Sequence, residues 1–210
     1  LAVDPRARFV HPEPVVHVVH DGRYPRERKA AASERMAQFQ AWDMISGGIW
    51  RQLGGRPELL DIIGVNYYPR NQWTHDGDRI EPGHRSHRPF HALLTETYAR
   101  YGRPLFVAET GTEDDERAPW LEMIWSEVAI GRRRGIPVEG ICLYPVLNHL
   151  GWDNDRDCQN GLYARDTYSG KLVRYEPLFE VMEEAVSLDG RNAANSGEFP
   201  DFVHTGGERP

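Results

Sequence analysis

Four short apolar runs, each closing on polar residues and each followed by a helix-patterned stretch, limit what this chain can fold into. The first run is Arg8-Phe9-Val10-His11, which ends in Pro12-Glu13-Pro14. The second, Leu59-Leu60-Asp61-Ile62-Ile63-Gly64-Val65-Asn66-Tyr67-Tyr68, is closed by Pro69. The third and fourth occupy residues 104–108 and 138–143. Helical spacing is read over residues 27–45, through Met36, Phe39, Gln40 and Ile45, and again over 90–101 and 120–134. Glycines stop each of these stretches, at Gly47-Gly48, Gly102 and Gly135. A polar loop is expected over residues 71–88 and a last helix over 177–186. Alternating strands and helices imply parallel strands joined by crossover helices. The runs are continuously apolar, as strands buried on both faces should be. An open doubly wound sheet satisfies this pattern, and so does part of a (β/α)8 barrel. No Gly-x-Gly-x-x-Gly turn follows any strand, which weakens a dinucleotide-binding reading, and no cofactor is expected.

The 210 residues suffice for one large domain, and 40% hydrophobic content is ordinary for a globular protein. Residues 1–186 are read as one structural unit. Residues 187–210 are polar, with Gly, Asn and Pro, and are expected to form a disordered tail. A net charge of -7 argues against a general nucleic-acid binder. Arg132-Arg133-Arg134 is short and suits the solvated end of a helix. There is no apolar run long enough to cross a bilayer, and no secretory leader is recognised, so a cytoplasmic location without membrane partners is expected. Neither of the two cysteines sits in a C-x-x-C pair. Cys142, inside an apolar run, is expected to be a buried hydrophobe.

Chemistry gathers where the strands end. Pro104-Leu105-Phe106-Val107-Ala108 runs abruptly into Glu109-Thr110-Gly111. A carboxylate at the C-terminal tip of a buried parallel strand sits where barrels and open sheets hold their chemistry. The rival reading, a helix N-cap, suits Glu113 or Asp114 better. His11 and Glu13, Asn66 and Tyr68, and Tyr144, Asn148 and His149 fall at the other strand ends, on the same rim. Asn66 and Tyr68, two apart, share one face of their strand. A tyrosine hydroxyl beside a carboxylate holds it in place and favours its ionised form, and such a carboxylate can act as a nucleophile. Tyr144 and Trp152 offer flat apolar faces of the kind that suit the C–H faces of a sugar ring, though Trp152 could equally pack its loop back onto the rim. His17 and His20 lie an odd number of residues apart on a run of strand character, on opposite faces, and no further ligands stand at fitting spacing, so no metal site is expected.

These strand ends resemble the C-terminal half of glycoside hydrolase family 1, the β-glucosidase family of (β/α)8 barrels. Asp61-Ile62-Ile63-Gly64-Val65-Asn66-Tyr67-Tyr68 is similar to that family's sixth strand, residues 104–111 to its seventh, and residues 140–152 to its eighth strand and loop. Ala2-Val3-Asp4-Pro5-Arg6-Ala7-Arg8-Phe9 resembles the lead into the fifth. The resemblance covers about residues 2–180. It implies a TIM barrel of which only strands 5–8 are present, acting on a carbohydrate substrate. Glu109 then matches the family's catalytic nucleophile and Tyr68 the tyrosine that hydrogen-bonds it. Asn66 matches an asparagine of the sugar site, Tyr144 stands where the family has a tryptophan platform, and Trp152 matches a tryptophan that contacts the glycone.

Three departures stand out. Thr110 replaces the asparagine after the nucleophile. Gly151 replaces a glutamate that binds sugar hydroxyls in the family. The acid/base, which the family keeps in an Asn-Glu-Pro motif on its fourth strand, has no counterpart; Glu13 mimics that motif superficially but belongs to the fifth strand, where lining the rim suits it better. Retaining glycosidases need two carboxyl groups roughly 5–5.5 Å apart, and a full barrel needs ~250 residues. The expected activity is therefore a retaining hydrolysis of β-linked sugars, with the N-terminal half of the barrel required to supply the acid/base. The alternative is an inactive, carbohydrate-binding barrel fragment.

Overall fold

The computed structural model describes residues 4–20 and 25–196, with side chains to residue 187; Ala2 and Val3 of the lead segment, and 197–210 of the expected tail, lie outside these. A four-stranded parallel sheet forms the centre. Its strands are β1 (Val10–Pro14), β3 (Ile62–Asn66), β5 (Leu105–Thr110) and β6 (Val138–Leu143), in the order β1-β3-β5-β6. These are the four strands anticipated, adjacent in the order in which they come along the chain. β2 (His17–Val19) pairs in parallel with β4 (Gln72–Thr74) inside the stretch expected to be loop. Further on, β7 (His149–Leu150) pairs with β8 (Asp157–Cys158), and β9 (Tyr163–Arg165) with β10 (Leu172–Arg174), both antiparallel.

The helices cover one face of the sheet. They are α1 (Pro25–Ala37), α2 (Gln40–Ile45), α3 (Phe90–Tyr101), α4 (Arg117–Arg133) and α5 (Glu176–Ser196). Ile63, Val65, Leu105 and Val107 alternate toward this side and meet Trp42, Phe90, Leu94 and Ile124 in one core. Each such side chain contributes roughly 1.5–3 kcal/mol on leaving water. The other face carries Val10, Pro12, Phe106 and Ala108 around Gly64, where a Cβ would come within 2.8 Å of Val10 and 2.9 Å of Pro12. This face is narrow because the sheet curls: Arg8, just before β1, reaches across to Glu139 on β6 with bonds of 2.6 and 3.2 Å.

Three expectations are corrected. The helix expected over 27–45 is broken between α1 and α2. Gln38 turns its amide onto the chain entering β2, accepting from Val16 N at 2.8 Å and donating to Val16 O at 3.1 Å and Arg35 O at 2.7 Å. The last helix runs on to Ser196 rather than stopping at Val186. Cys142 is exposed and Cys158 is the buried thiol.

Candidate active site

β3 and β5 do not run in simple register. Val65 pairs with Val107, but Asn66 pairs with Glu109, so Ala108 is an extra residue on β5. Without this bulge Glu109 would continue the series Leu105, Val107 and point into the helix-side core. The bulge flips it to the opposite face, where bulges beside active sites typically re-aim a side chain. On that face Tyr68 Oη donates to Glu109 Oε2 at 3.1 Å. Burial, and then the neighbouring Glu109, push the Tyr68 phenol well above its usual range, so it keeps its proton and stays the donor.

Thr110 and Gly111 anchor the strand end just beyond the carboxylate. Thr110 is fully buried, donates to the Tyr67 carbonyl at 2.7 Å and accepts from Trp120 Nε1 at 2.9 Å. The threonine that replaces the expected asparagine thus clamps the β3 end to α4. A Cβ on Gly111 would lie 2.1 Å from the Tyr144 carbonyl oxygen, so only glycine fits there.

Glu109 and Tyr68 open into a cavity of about 1170 Å³, which Tyr144, His149 and Trp152 also line. Trp152 is 84% exposed, so its indole offers a face to a ligand instead of packing onto the rim. Both ring nitrogens of His149 are used within the chain. Nδ1–H donates to Leu150 O at 2.7 Å, and Nε2 accepts from Asn160 Nδ2 at 3.0 Å. His149 therefore presents ring surface to the cavity. Glu13 and Asn66 are not among the lining residues. Glu13 alternates onto the face of β1 that carries His11, opposite Val10 and Pro12. Asn66 lies in register between Pro14 and Glu109, with its side-chain oxygen buried and unpartnered.

Two groups were not foreseen. Glu113 holds Arg156 through bonds of 2.5 and 2.9 Å on the cavity wall, and this pairing keeps its carboxyl below the usual carboxylate range. A carboxyl held ionised in this way is a poor proton donor. Arg117 is buried and donates to Asp114 O at 2.8 Å and Gly161 O at 2.6 Å, with Tyr175 stacked 3.5 Å from its guanidinium carbon. It ties the loop carrying His149 and Trp152 to α4. Its position in a polar run gave no signal of burial. Among the described residues no three His, Cys, Asp or Glu side chains are grouped to hold a metal ion, and no helix is long and apolar enough to cross a membrane.

No protein-family model matches the chain. A β-galactosidase of Sulfolobus acidocaldarius is 26% identical over 199 residues, which cover 79% of this chain and 40% of that protein. Among solved structures, the β-glycosidase of Thermosphaera aggregans is 21% identical, with a TM-score of 0.60 over 91% of this chain and 44% of its own. A family 1 β-glucosidase of Thermotoga maritima is 14% identical, with a TM-score of 0.64 over 85% of this chain and 51% of its own. The shared structure is a fold likeness, and the chain spans about half the length of the proteins it matches.

Proposed function

We propose that this relative of the family 1 β-glycosidases supplies the C-terminal half of a (β/α)8 barrel that hydrolyses β-linked sugars with retention. The observation that carries the reading is the Tyr68–Glu109 hydrogen bond of 3.1 Å at two adjacent strand ends, opening into a cavity faced by Tyr144 and Trp152. In this reading a Glu109 oxygen attacks the anomeric carbon as the bond to the leaving oxygen breaks. The leaving oxygen takes its proton from an acid on the N-terminal half of the barrel. Water then adds to the anomeric carbon, gives its proton to that same residue, and frees Glu109. Tyr68 holds the attacking carboxylate in line, and Tyr144 and Trp152 carry the sugar ring. Glu113, engaged by Arg156, does not serve as the acid.

The test is Glu109→Gln in the whole protein, assayed on an activated aryl β-glycoside. Loss of nearly all turnover supports the assignment, and unchanged turnover sinks it.

One observation favours a second reading, sugar binding without hydrolysis. The family's glutamate is absent at Gly151, and a Cβ there would meet Asn154 Oδ1 at 2.5 Å, so the Asn154 side chain occupies the space where a side chain at 151 would begin. Saturable binding of a β-glycoside by a whole protein that never turns it over would establish this second reading.

A further inference from the structure

The wall of the cavity beside Trp152 is a hairpin with a bare position on its inner face. β7 and β8 pair His149 with Cys158 and Leu150 with Asp157. One step nearer the turn, Gly151 N donates to Arg156 O at 2.8 Å, which sets Gly151 opposite Arg156. Side chains alternate along a strand, and directly opposite residues share a face. His149, Gly151 and Arg156 therefore stand on one face, and both His149 and Arg156 line the cavity, whereas Leu150 and Asp157 do not. Asn154 Oδ1 takes up the space beside Gly151 and accepts from Arg156 N at 3.0 Å. Arg156 is thus the one long side chain that this cross-strand pair offers to the cavity.

Its guanidinium holds Glu113, four residues beyond Glu109, with Nη1 2.5 Å from Oε2 and Nη2 2.9 Å from Oε1. Glu113 lines the same cavity as Glu109 and Trp152. The pair stays open to a ligand: the arginine side chain is 57% exposed and the glutamate 37%. An ion pair so exposed adds little to stability. The two parallel bonds do fix a guanidinium and a carboxylate side by side in one plane. They spend two of the five guanidinium N–H groups and one acceptor site on each carboxylate oxygen. Three donors and an acceptor site on each oxygen are left over, and among the described residues no other hydrogen bond uses them.

Donors and acceptors held next to each other suit neighbouring sugar hydroxyls, each of which can donate one hydrogen bond and accept another. They suit an anion less, because the carboxylate offsets the guanidinium charge and repels a phosphate or a second carboxylate. His149 cannot do the same work, since both of its ring nitrogens already bond within the chain. Tyr144 and Trp152 offer ring faces to a sugar, and the hydroxyls around its edge need partners of another kind.

We propose that Glu113 and Arg156 together read two adjacent hydroxyls of the sugar bound at Glu109, with Glu113 accepting from one and Arg156 donating to the other. The proposal rests on the glycosidase reading and deepens it: the pair sets specificity, and the substrates are neutral β-glycosides in which both of those hydroxyls are present.

The test uses the whole protein with 4-nitrophenyl β-glucoside, its monodeoxy analogues and the corresponding β-glucuronide. In the parent, kcat/KM is expected to fall about tenfold for the loss of either of two neighbouring hydroxyls. In Glu113→Ala the intact glucoside loses about tenfold, mainly through KM, and removing the hydroxyl that Glu113 reads then costs no more than about twofold further. Arg156→Lys keeps the charge but loses the fork, and it shrinks the penalty at the neighbouring hydroxyl in the same way. Melting temperatures check that both variants fold, and Arg156→Lys carries the test if Glu113→Ala does not. Deoxy penalties that are equal in the parent and the variants would leave the pair a purely structural role and overturn the proposal. A parent with no penalty at any two neighbouring positions, or one that takes the glucuronide faster than the glucoside, overturns it as well. The glycosidase reading fails separately, if Glu109→Gln still turns over or the parent never does. Calorimetry with methyl β-glucoside and its monodeoxy analogues then makes the same comparison in binding: penalties that shrink in the variants uphold the hydroxyl reading, and equal ones overturn it.

Discussion

Replacing Tyr68 with Phe removes one hydroxyl and almost nothing else. That hydroxyl makes one bond within the chain, to Glu109 Oε2 at 3.1 Å. Hydrogen bonds to charged groups are worth about 1.5–3 kcal/mol. O–H···O⁻ bonds are typically 2.5–2.7 Å long, so a contact of 3.1 Å belongs at the lower end, about 1.5 kcal/mol. If the phenol holds the carboxylate for attack, this energy is lost in the transition state, and kcat/KM falls about tenfold to thirtyfold. The loss should appear mainly in kcat, because the hydroxyl contacts the nucleophile and not the sugar in this arrangement. The assay is steady-state hydrolysis of an activated aryl β-glycoside by the whole protein, with a thermal melt beside it. A change of less than twofold in kcat, with the fold intact, would refute the idea that Tyr68 positions the nucleophile.

His17, Gly111 and Arg117 each carry a further expected outcome. His17 is buried, with Nε2–H donating to Ser86 O at 3.1 Å, and burial together with Arg35 and Arg88 lowers its imidazole from the usual 6.5 to about 4. The unfolded chain thus binds this proton more readily, so stability is full above pH 6.5, falls as pH drops from 6.5 to 4, and has lost at most about 3 kcal/mol below that; urea titrations across this range should show the loss in the parent and a flatter profile in His17→Gln. Gly111→Ala forces a Cβ toward the Tyr144 carbonyl, so a stability loss of about 1–3 kcal/mol is expected by denaturant titration, with activity falling as the Tyr144 platform shifts. Arg117→Met leaves the Asp114 and Gly161 carbonyls unpaired, costs about 1.5–3 kcal/mol, and should raise proteolytic cutting in the 148–161 loop before the rest of the chain.

Much of the architecture was legible in the sequence, because strands buried on both faces must be continuously apolar and their helices must carry one apolar stripe. That logic located all four central strands and their parallel order. The pairing of Tyr68 with Glu109 was also legible, through the gathering of polar residues at the strand ends and, residue for residue, through the family resemblance. The residue that makes it possible was not. Ala108 reads as one more small apolar residue in a strand, and nothing local marks it as a bulge. The register depends on how β5 sits between β3 and β6, which is a tertiary matter. The break between α1 and α2 was hidden for a similar reason: Gln38 is an ordinary helix former until Val16 arrives beside it from another part of the chain. Cys142 and Arg117 show the limit of reading burial from neighbours in sequence. The exposed thiol lies in an apolar run and the buried guanidinium in a charged one, and each is placed by the surface its element presents. Asn66 and Glu13 stand at strand ends, yet neither lines the cavity: alternation turns Glu13 onto the face of His11 and Val65, while Asn66, on the face of Glu109, keeps its side-chain oxygen buried.

The central claim is that the residue at 109 forms a bond to the sugar. The direct measurement is mass spectrometry of the whole protein after reaction with a 2-fluoro aryl β-glycoside, whose glycosyl-enzyme breaks down slowly. A mass increase of one fluorosugar, mapped to the peptide containing Glu109 and absent in Glu109→Gln, is the predicted result. An adduct on another carboxylate, or steady turnover of ordinary glycosides with no trapped adduct at all, would contradict it.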